Sequence, residues 1–382
     1  MHKPHGAGIL ERDGLAALLV AAVLAVLAAL PARAQDPNAG FTAYRALFSA
    51  QALRPARGTS TILGFTLHYR GAMPHAAFAL ATTPDGRSAW RFTSGGPSEG
   101  ATRAALQAAC DRDAEAALGP GHACRVVAVD GAVAAQAAAP FRPVQARTGP
   151  FRAAPLMFRH GPQAAEGVVI WSHGYGGPQA DHRDRNAPGV LAMLNDAGWD
   201  VMRFDRDPLE DLLPTAAATL RRGLPLLRDE GYRRIVLAGQ SRGGWQSIMV
   251  GAERPDLVHA VVAFAPASHG EAARPHNIAT AIEDFGRLLA GLPADGPRLA
   301  VTVFAEDSFD ADPAARAALV AELAPRRSAP TVALFPEAPV RGHGGVNDWR
   351  FTQGLGPCVV SLVQAPAAAT PRGLRRNPCT GG

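Results

Sequence analysis

A serine flanked by glycines lies at the centre of the pentapeptide Gly239–Gly243. This G-x-S-x-G sequence is typical of a nucleophilic serine on a tight turn, where side chains larger than that of glycine would collide with neighbouring backbone. The apolar run at 234–238 predicts a buried strand before the turn, and residues 243–250 predict a helix after it. Ser241 is therefore the candidate nucleophile, beside a helix dipole that would stabilise a developing oxyanion. The alternative is an ordinary glycine-rich turn.

The same pattern occurs a second time, in the pentapeptide Gly96–Gly100. This copy follows a Gly-Gly-Pro sequence rather than a strand, and a helical run begins at Ala101. Ser98 is therefore predicted to cap that helix. The context of the two serines, rather than the pattern alone, favours Ser241 as the nucleophile.

A second glycine-rich turn lies upstream, where an apolar run is followed by the sequence Ser-His-Gly-Tyr-Gly-Gly at 172–177. This turn and the later serine turn resemble, in type and order, those of the α/β-hydrolase family, over about residues 153–363. The resemblance implies that the backbone N–H groups of Tyr175 and Arg242 form an oxyanion hole and that His173 is structural. The alternative is a glycine turn with a core histidine.

The resemblance also implies a carboxylate and then a histidine, both downstream of the serine. The segment 305–313 follows an apolar run and contains several carboxylates. Asp307 is the predicted acid, because it lies just past the end of the strand and resembles the family's acid, which accepts a hydrogen bond from the imidazole. Asp310 is the second candidate and Glu306 the third, while Asp312 precedes a proline and predicts a helix cap. The alternative is a solvated acidic loop.

The candidate base lies on the glycine-flanked loop Arg341–Gly345, beyond the apolar run 331–335. His343 would take the proton from Ser241 and return it to the leaving group. Three other histidines precede the acid and would break the family order, so surface or lining roles are predicted for His182, His269 and His276.

Strand-like and helix-like segments alternate from about residue 155 onward, and the strands are continuous apolar runs. Such strands predict a mostly parallel sheet with helices on both faces. The predicted fold class is α/β, with an α/β-hydrolase fold at 153–382. Between 264 and 299 there is one helix-like stretch and no long lid insertion, so a deep lipid-specific pocket is not expected.

The first residues, 1–34, predict a secretory signal peptide. Leu15–Leu30 is an unbroken apolar run, and Ala32–Ala34 has the small-x-small pattern that precedes a cleavage site. As a helix this run would span about 24 Å, short of a hydrocarbon core of roughly 30 Å. We expect cleavage before Gln35 and export to the periplasm or the medium; an uncleaved anchor is the alternative.

Residues 35–130 combine short strand-like runs with one helical run and predict a small α+β module, and the Ala-, Pro- and Arg-rich stretch 131–152 predicts a linker. All four cysteines lie beyond the predicted cleavage point, which fits an oxidising compartment. Sequence proximity favours the pairs Cys110–Cys124 and Cys358–Cys379 over the other pairings. Four free buried thiols are the alternative.

The composition is that of a globular protein, because 47% of the 382 residues are hydrophobic and 19% are charged. The net charge of +5 comes from dispersed arginines, with Lys3 as the only lysine, and no basic run predicts nucleic-acid binding. No histidine spacing predicts a metal site, and no nucleotide-binding fingerprint is present. We expect no cofactor and a small-molecule acyl substrate as the partner.

The sequence thus predicts an exported serine hydrolase, similar to esterases and dienelactone hydrolases, that cleaves an ester or similar acyl substrate through an acyl-enzyme on Ser241. A serine peptidase of the same fold is less favoured, because the N-terminal module is too small for the propeller of prolyl-oligopeptidase relatives. The remaining alternative is a non-catalytic envelope binding or scaffold protein.

Overall fold

The computed structural model describes Gly64, Tyr69 and residues 75–84, 87–129, 132–133, 146–154, 157, 159–183, 187–377 and 379. The predicted signal peptide and its cleavage site lie outside the described residues, as does most of the predicted linker. Within the described part, no helix is both long and apolar enough to cross a bilayer.

The N-terminal part of the described chain forms a four-stranded antiparallel sheet with one helix. The sheet order is β2-β1-β3-β4. The strands are β1 (Ala77–Thr82), β2 (Ser88–Thr93), β3 (Arg125–Val129) and β4 (Ala132–Val133), and the helix α1 is Glu99–Leu118. Ser98 is the N-cap of α1, because its Oγ accepts a hydrogen bond from the N–H of Ala101 at 3.2 Å. The disulfide Cys110–Cys124, favoured from the sequence, is confirmed.

In the described residues from 146 onward, nine strands form one sheet, in the order β5-β6-β8-β7-β9-β10-β11-β12-β13. Strands β7 to β13 run parallel to one another, and β6 pairs antiparallel with β5 and with β8. The strands are β5 (Arg147–Thr148), β6 (Phe151–Ala153), β7 (Gly167–Ser172), β8 (Trp199–Phe204), β9 (Ile235–Gln240), β10 (Val258–Phe264), β11 (Arg298–Thr302), β12 (Thr331–Leu334) and β13 (Gly373–Arg375).

Helices cover both faces of this sheet, as the continuous apolar strands predicted. Successive residues of one strand enter different cores: Val169 packs with one cluster and Val168 with the other. The first cluster includes residues of α2 (Gly189–Asp196) and α7 (Trp349–Gln364). The second includes residues of α3 (Leu213–Asp229), α4 (Arg242–Glu253), α5 (Pro275–Ala290) and α6 (Pro313–Leu323).

The two ends of the sheet differ from the sequence prediction. Strands β5 and β6 lie at the end of the stretch predicted as a linker, 131–152, so the sheet begins earlier than position 153. They were hidden by the Ala- and Pro-rich composition, because their buried side chains, Thr148 and Phe151, are too few to form a periodic pattern. At the opposite end, the edge strand β13 was not predicted. The disulfide Cys358–Cys379, favoured from the sequence, is confirmed and joins α7 to the residues after β13.

Candidate active site

Ser241 lies between β9 and α4 with a backbone φ of 56°, in the left-handed region that L-residues rarely adopt. The flanking glycines permit this turn: a Cβ on Gly239 would overlap the backbone of Gly243, and a Cβ on Gly243 would overlap the carbonyl of Ser172. Unlike Ser98, Ser241 makes no side-chain capping bond to the helix that follows it. The turn therefore has the geometry of a nucleophile elbow.

The glycine-rich turn after β7 packs directly against the elbow. A Cβ built on Gly174 would lie 3.2 Å from the Cβ of Ser241 and 3.8 Å from its Oγ. The next residue, Tyr175, places its ring 3.7 Å from the guanidinium carbon of Arg242. The two residues expected to form the oxyanion hole are therefore neighbours. Because Arg242 is the first residue of α4, its N–H is one of the groups without a partner inside the helix.

His173 holds this turn in place from inside the protein. Its Nδ1 donates to the carbonyl of Gly174 at 2.6 Å, and its Nε2 accepts from the N–H of Arg206 at 3.1 Å. Burial, with the nearby charge of Arg206, lowers the pKa of His173 from 6.5 to about 3. The imidazole is therefore neutral, and its two bonds fit a structural role.

Asp307 and His343 lie on different loops and contact each other. The His343 Nδ1 is 2.9 Å from Oδ1 of Asp307 and 3.0 Å from its Oδ2, and Asp307 is buried. Because a carboxylate accepts hydrogen bonds, Nδ1 is the donor of this contact, and Nε2 is the ring nitrogen that can take a proton. The φ of Glu306 is 57°, so a strained residue directly precedes the acid.

Gln240, which directly precedes the candidate nucleophile, was not singled out from the sequence. Its Nε2 donates to the carbonyl of His343 at 2.7 Å, so the loop of the candidate base is attached to the elbow. The ring of Phe309 packs on the imidazole with 4.5 Å between centroids. The hydrogen bond between Gln240 and His343 joins distant segments, so no local sequence pattern predicts it.

The other three carboxylates of the acidic loop have different partners. Asp310 is buried and lies 3.2 Å from Nε of Arg316, and its pKa is raised to about 6 by burial. Glu306 pairs with Arg341, also on the His343 loop, at 3.0 Å. Asp312 caps α6, as predicted, by accepting from the N–H of Ala315 at 2.9 Å. Of these four carboxylates, Asp307 is the one that contacts His343.

The competing histidines have partners outside this arrangement. His182 is buried and packs edge-on against His173. His269 contacts Asp284 at 2.6 Å through Nε2 and Ser268 at 3.1 Å through Nδ1, and the exposed His276 reaches the carbonyl of His269. In the described part of the chain, no group of three or more histidine, cysteine and acidic side chains is placed to hold a metal ion.

The strand order, with β7 and β8 exchanged relative to the chain and the elbow after β9, defines the α/β-hydrolase fold. The predicted fold class is confirmed. Neither a family model nor a curated protein matches the chain.

Several solved structures are similar at a low level. An esterase of Pyrococcus furiosus is 20% identical with a TM-score of 0.38, over 52% of this chain and 82% of that chain. A dienelactone hydrolase of Anabaena variabilis is 19% identical with a TM-score of 0.34, over 53% of this chain and 90% of that chain. A prolyl endopeptidase is 14% identical with a TM-score of 0.36, over 50% of this chain and only 32% of that chain. Similarity at this level transfers no activity.

Proposed function

We propose that the protein is a serine hydrolase that cleaves an ester or a similar acyl substrate. The observation that carries the proposal is the contact between His343 Nδ1 and Asp307. The loop that bears His343 is held by Gln240, the residue that directly precedes Ser241 in the elbow. An ordinary glycine-rich turn does not require an imidazole with a buried carboxylate behind it.

In the proposed reaction, Ser241 Oγ attacks the acyl carbonyl carbon while His343 Nε2 takes the hydroxyl proton. The backbone N–H groups of Tyr175 and Arg242 stabilise the oxyanion, and Asp307 stabilises the imidazolium. The carbonyl re-forms, the bond to the leaving group breaks, and His343 gives its proton to the leaving alcohol. Water then attacks the acyl-enzyme with His343 as base, which releases the acid and returns the proton to Ser241.

Labelling with a fluorophosphonate tests the nucleophile. We expect one covalent adduct on the full-length protein, absent in Ser241→Ala. Ser98→Ala and Ser268→Ala are the matched controls, because Ser98 repeats the sequence pattern and Ser268 also lies beside an imidazole. An adduct that survives in Ser241→Ala would assign another nucleophile. A wild-type protein that does not react would favour the non-catalytic binding or scaffold alternative.

A substrate panel separates the esterase from the peptidase alternative. We expect turnover of aryl esters of graded acyl length and none of chromogenic peptide amides, with the ester activity lost in Ser241→Ala. Cleavage of the peptide amides at a comparable kcat/KM would support the peptidase.

We also propose export to the periplasm or the medium after removal of residues 1–34. The two disulfides support an oxidising compartment. N-terminal sequencing of the protein recovered from the producing cells should begin at Gln35. A chain that begins at Met1 in the membrane fraction would support the uncleaved anchor instead.

A further inference from the structure

The side chain of Arg242 lies beside the candidate nucleophile, and no carboxylate of the described residues forms an ion pair with it. Its Nη1 donates to the backbone carbonyl of Asp211 at 2.5 Å, and its guanidinium stacks on the ring of Tyr175. Because a guanidinium has five N–H donors, these two contacts leave most of its hydrogen-bonding capacity unused, and its charge has no ion-pair partner among the described residues.

The carboxylate of Asp211 is engaged by another arginine. Arg206 Nε donates to Asp211 Oδ1 at 2.8 Å, and both of these side chains are almost completely buried. The pKa of Arg206 is lowered by burial and, more weakly, by the charge of Arg242, whereas Asp211 opposes that shift. The Asp211 carboxylate is thus paired with Arg206, and Arg242 contacts the backbone carbonyl of the same residue instead.

Another arginine close by in the chain, Arg203 on β8, has its own carboxylate partner. Arg203 contacts Asp205 at 2.7 Å, and Arg152 lies 3.4 Å from the same carboxylate, so Asp205 already has two cationic partners. Arg242 and Tyr175 are both only partly buried, unlike the Arg206–Asp211 pair. Among the described residues, the charge without an ion pair is thus on a group that solvent can reach. The same two residues supply the backbone donors of the proposed oxyanion hole.

We propose that Arg242 binds an anionic group of the substrate, in the simplest case a carboxylate, so that the preferred substrates are esters that carry a free carboxylate. This inference rests on the proposed serine-hydrolase function. A carboxylate on the acyl part and one on the leaving alcohol present the same chemistry to a guanidinium, which binds either with charge-assisted hydrogen bonds.

Two pairs of esters that differ only in charge test this inference. The acyl pair is mono-para-nitrophenyl adipate and its methyl ester, and the alcohol pair is meta-acetoxybenzoate and its methyl ester. In the wild type, kcat/KM should be higher for the charged member of at least one pair. In Arg242→Gln that ratio should fall by about 10- to 100-fold, the size of a charge-assisted hydrogen bond, and Arg242→Lys should restore part of it.

The ratio of charged to neutral substrate is the informative quantity, because both members use the same oxyanion donors and any general damage divides out. Arg221→Gln is the matched control, since Arg221 is an exposed arginine paired with Glu253 on the surface. It should leave the ratio unchanged. Higher ionic strength should reduce the wild-type ratio.

The outcomes separate this inference from the proposed function. If a fluorophosphonate labels Ser241 and neutral esters are cleaved, but the charged members are not preferred or their ratio is the same in Arg242→Gln, the inference is wrong and the hydrolase function stands. If neither labelling nor turnover occurs, the function is wrong and the inference falls with it. A preference seen in only one pair identifies the part of the substrate that carries the anion.

Discussion

At the scale of single residues, the candidate site depends on which acidic side chain reaches the imidazole. Asp307 and Asp310 belong to the same loop and are both buried, yet one accepts from His343 and the other pairs with Arg316. Their partners give them different roles. Asp307 can stabilise an imidazolium, while Asp310 compensates a buried guanidinium.

Replacement of Asp307 by asparagine should therefore lower kcat strongly. The amide presents no charge to the imidazolium and favours the wrong tautomer of His343, so we expect a loss of about 10⁴-fold. Asp310→Asn is the matched control, and its kcat should stay within about 10-fold of the wild type, since Asp310 does not contact the imidazole. Steady-state kinetics on an aryl ester measures both. The reverse order of the two variants would assign Asp310 as the acid.

The neutral state of His173 predicts a pH dependence of stability. Its pKa is about 3 in the folded protein against 6.5 as a free side chain, so the unfolded chain binds the additional proton between these values. The stabilisation is complete above pH 6.5 and is lost as the pH falls toward 3. At pH 5 the loss should be about 2 kcal/mol.

Urea unfolding of the wild type and of His173→Gln at pH 8 and pH 5 measures this contribution. The unfolding free energy of the variant should change less between the two pH values, by about the same 2 kcal/mol. Equal changes in the two proteins would show that His173 is not held neutral by the fold.

At the scale of elements, the acidic loop is attached to three helices through one buried arginine. Arg316 on α6 pairs with Asp310, donates to the carbonyl of Pro266 after β10, and lies over the rings of Phe285 on α5 and Trp245 on α4. This contact joins the loop that bears Asp307 to the layer that supports the elbow. Because burial of an unpaired charge is costly, Arg316 and Asp310 stabilise the fold only as a pair.

Loss of the guanidinium alone should destabilise the protein. Arg316→Met leaves Asp310 buried without its cation, and we expect the unfolding free energy to fall by about 3–5 kcal/mol. The double variant Arg316→Met, Asp310→Asn should recover a large part of this loss, because no charge is then left unpaired. Denaturant unfolding of the two variants at pH 8 gives both values. A double variant less stable than the single one would contradict a charge-pair origin.

At the scale of the whole molecule, a disulfide secures the last edge of the large sheet. Among the described strands, β13 pairs with β12 alone, and Cys379 lies beyond β13 in a bond to the fully buried Cys358 of α7. The closed loop has a sequence separation of 21 residues. The end of the chain is thus fastened to the helical layer as well as to the sheet.

Removal of this disulfide should cost about 3 kcal/mol of unfolding free energy, the value expected for closing a loop of this size. The double variant Cys358→Ala, Cys379→Ala, compared with the oxidised wild type in urea, measures the loss. Reduction of the wild type should move its unfolding midpoint the same way. An unchanged midpoint in both experiments would show that the edge strand is stable without the bond.

Most elements, the elbow, the helix caps at Ser98 and Asp312, and both disulfide pairs could be predicted from the amino-acid sequence, because burial periodicity, glycine requirements and short cysteine separations are local properties of the chain. The folded structure was needed to choose Asp307 over Asp310 as the partner of His343, and to show that no carboxylate of the described residues pairs with Arg242. Both results depend on partners from distant segments of the chain. A local sequence pattern does not indicate which neighbour each buried carboxylate of a loop will contact after folding.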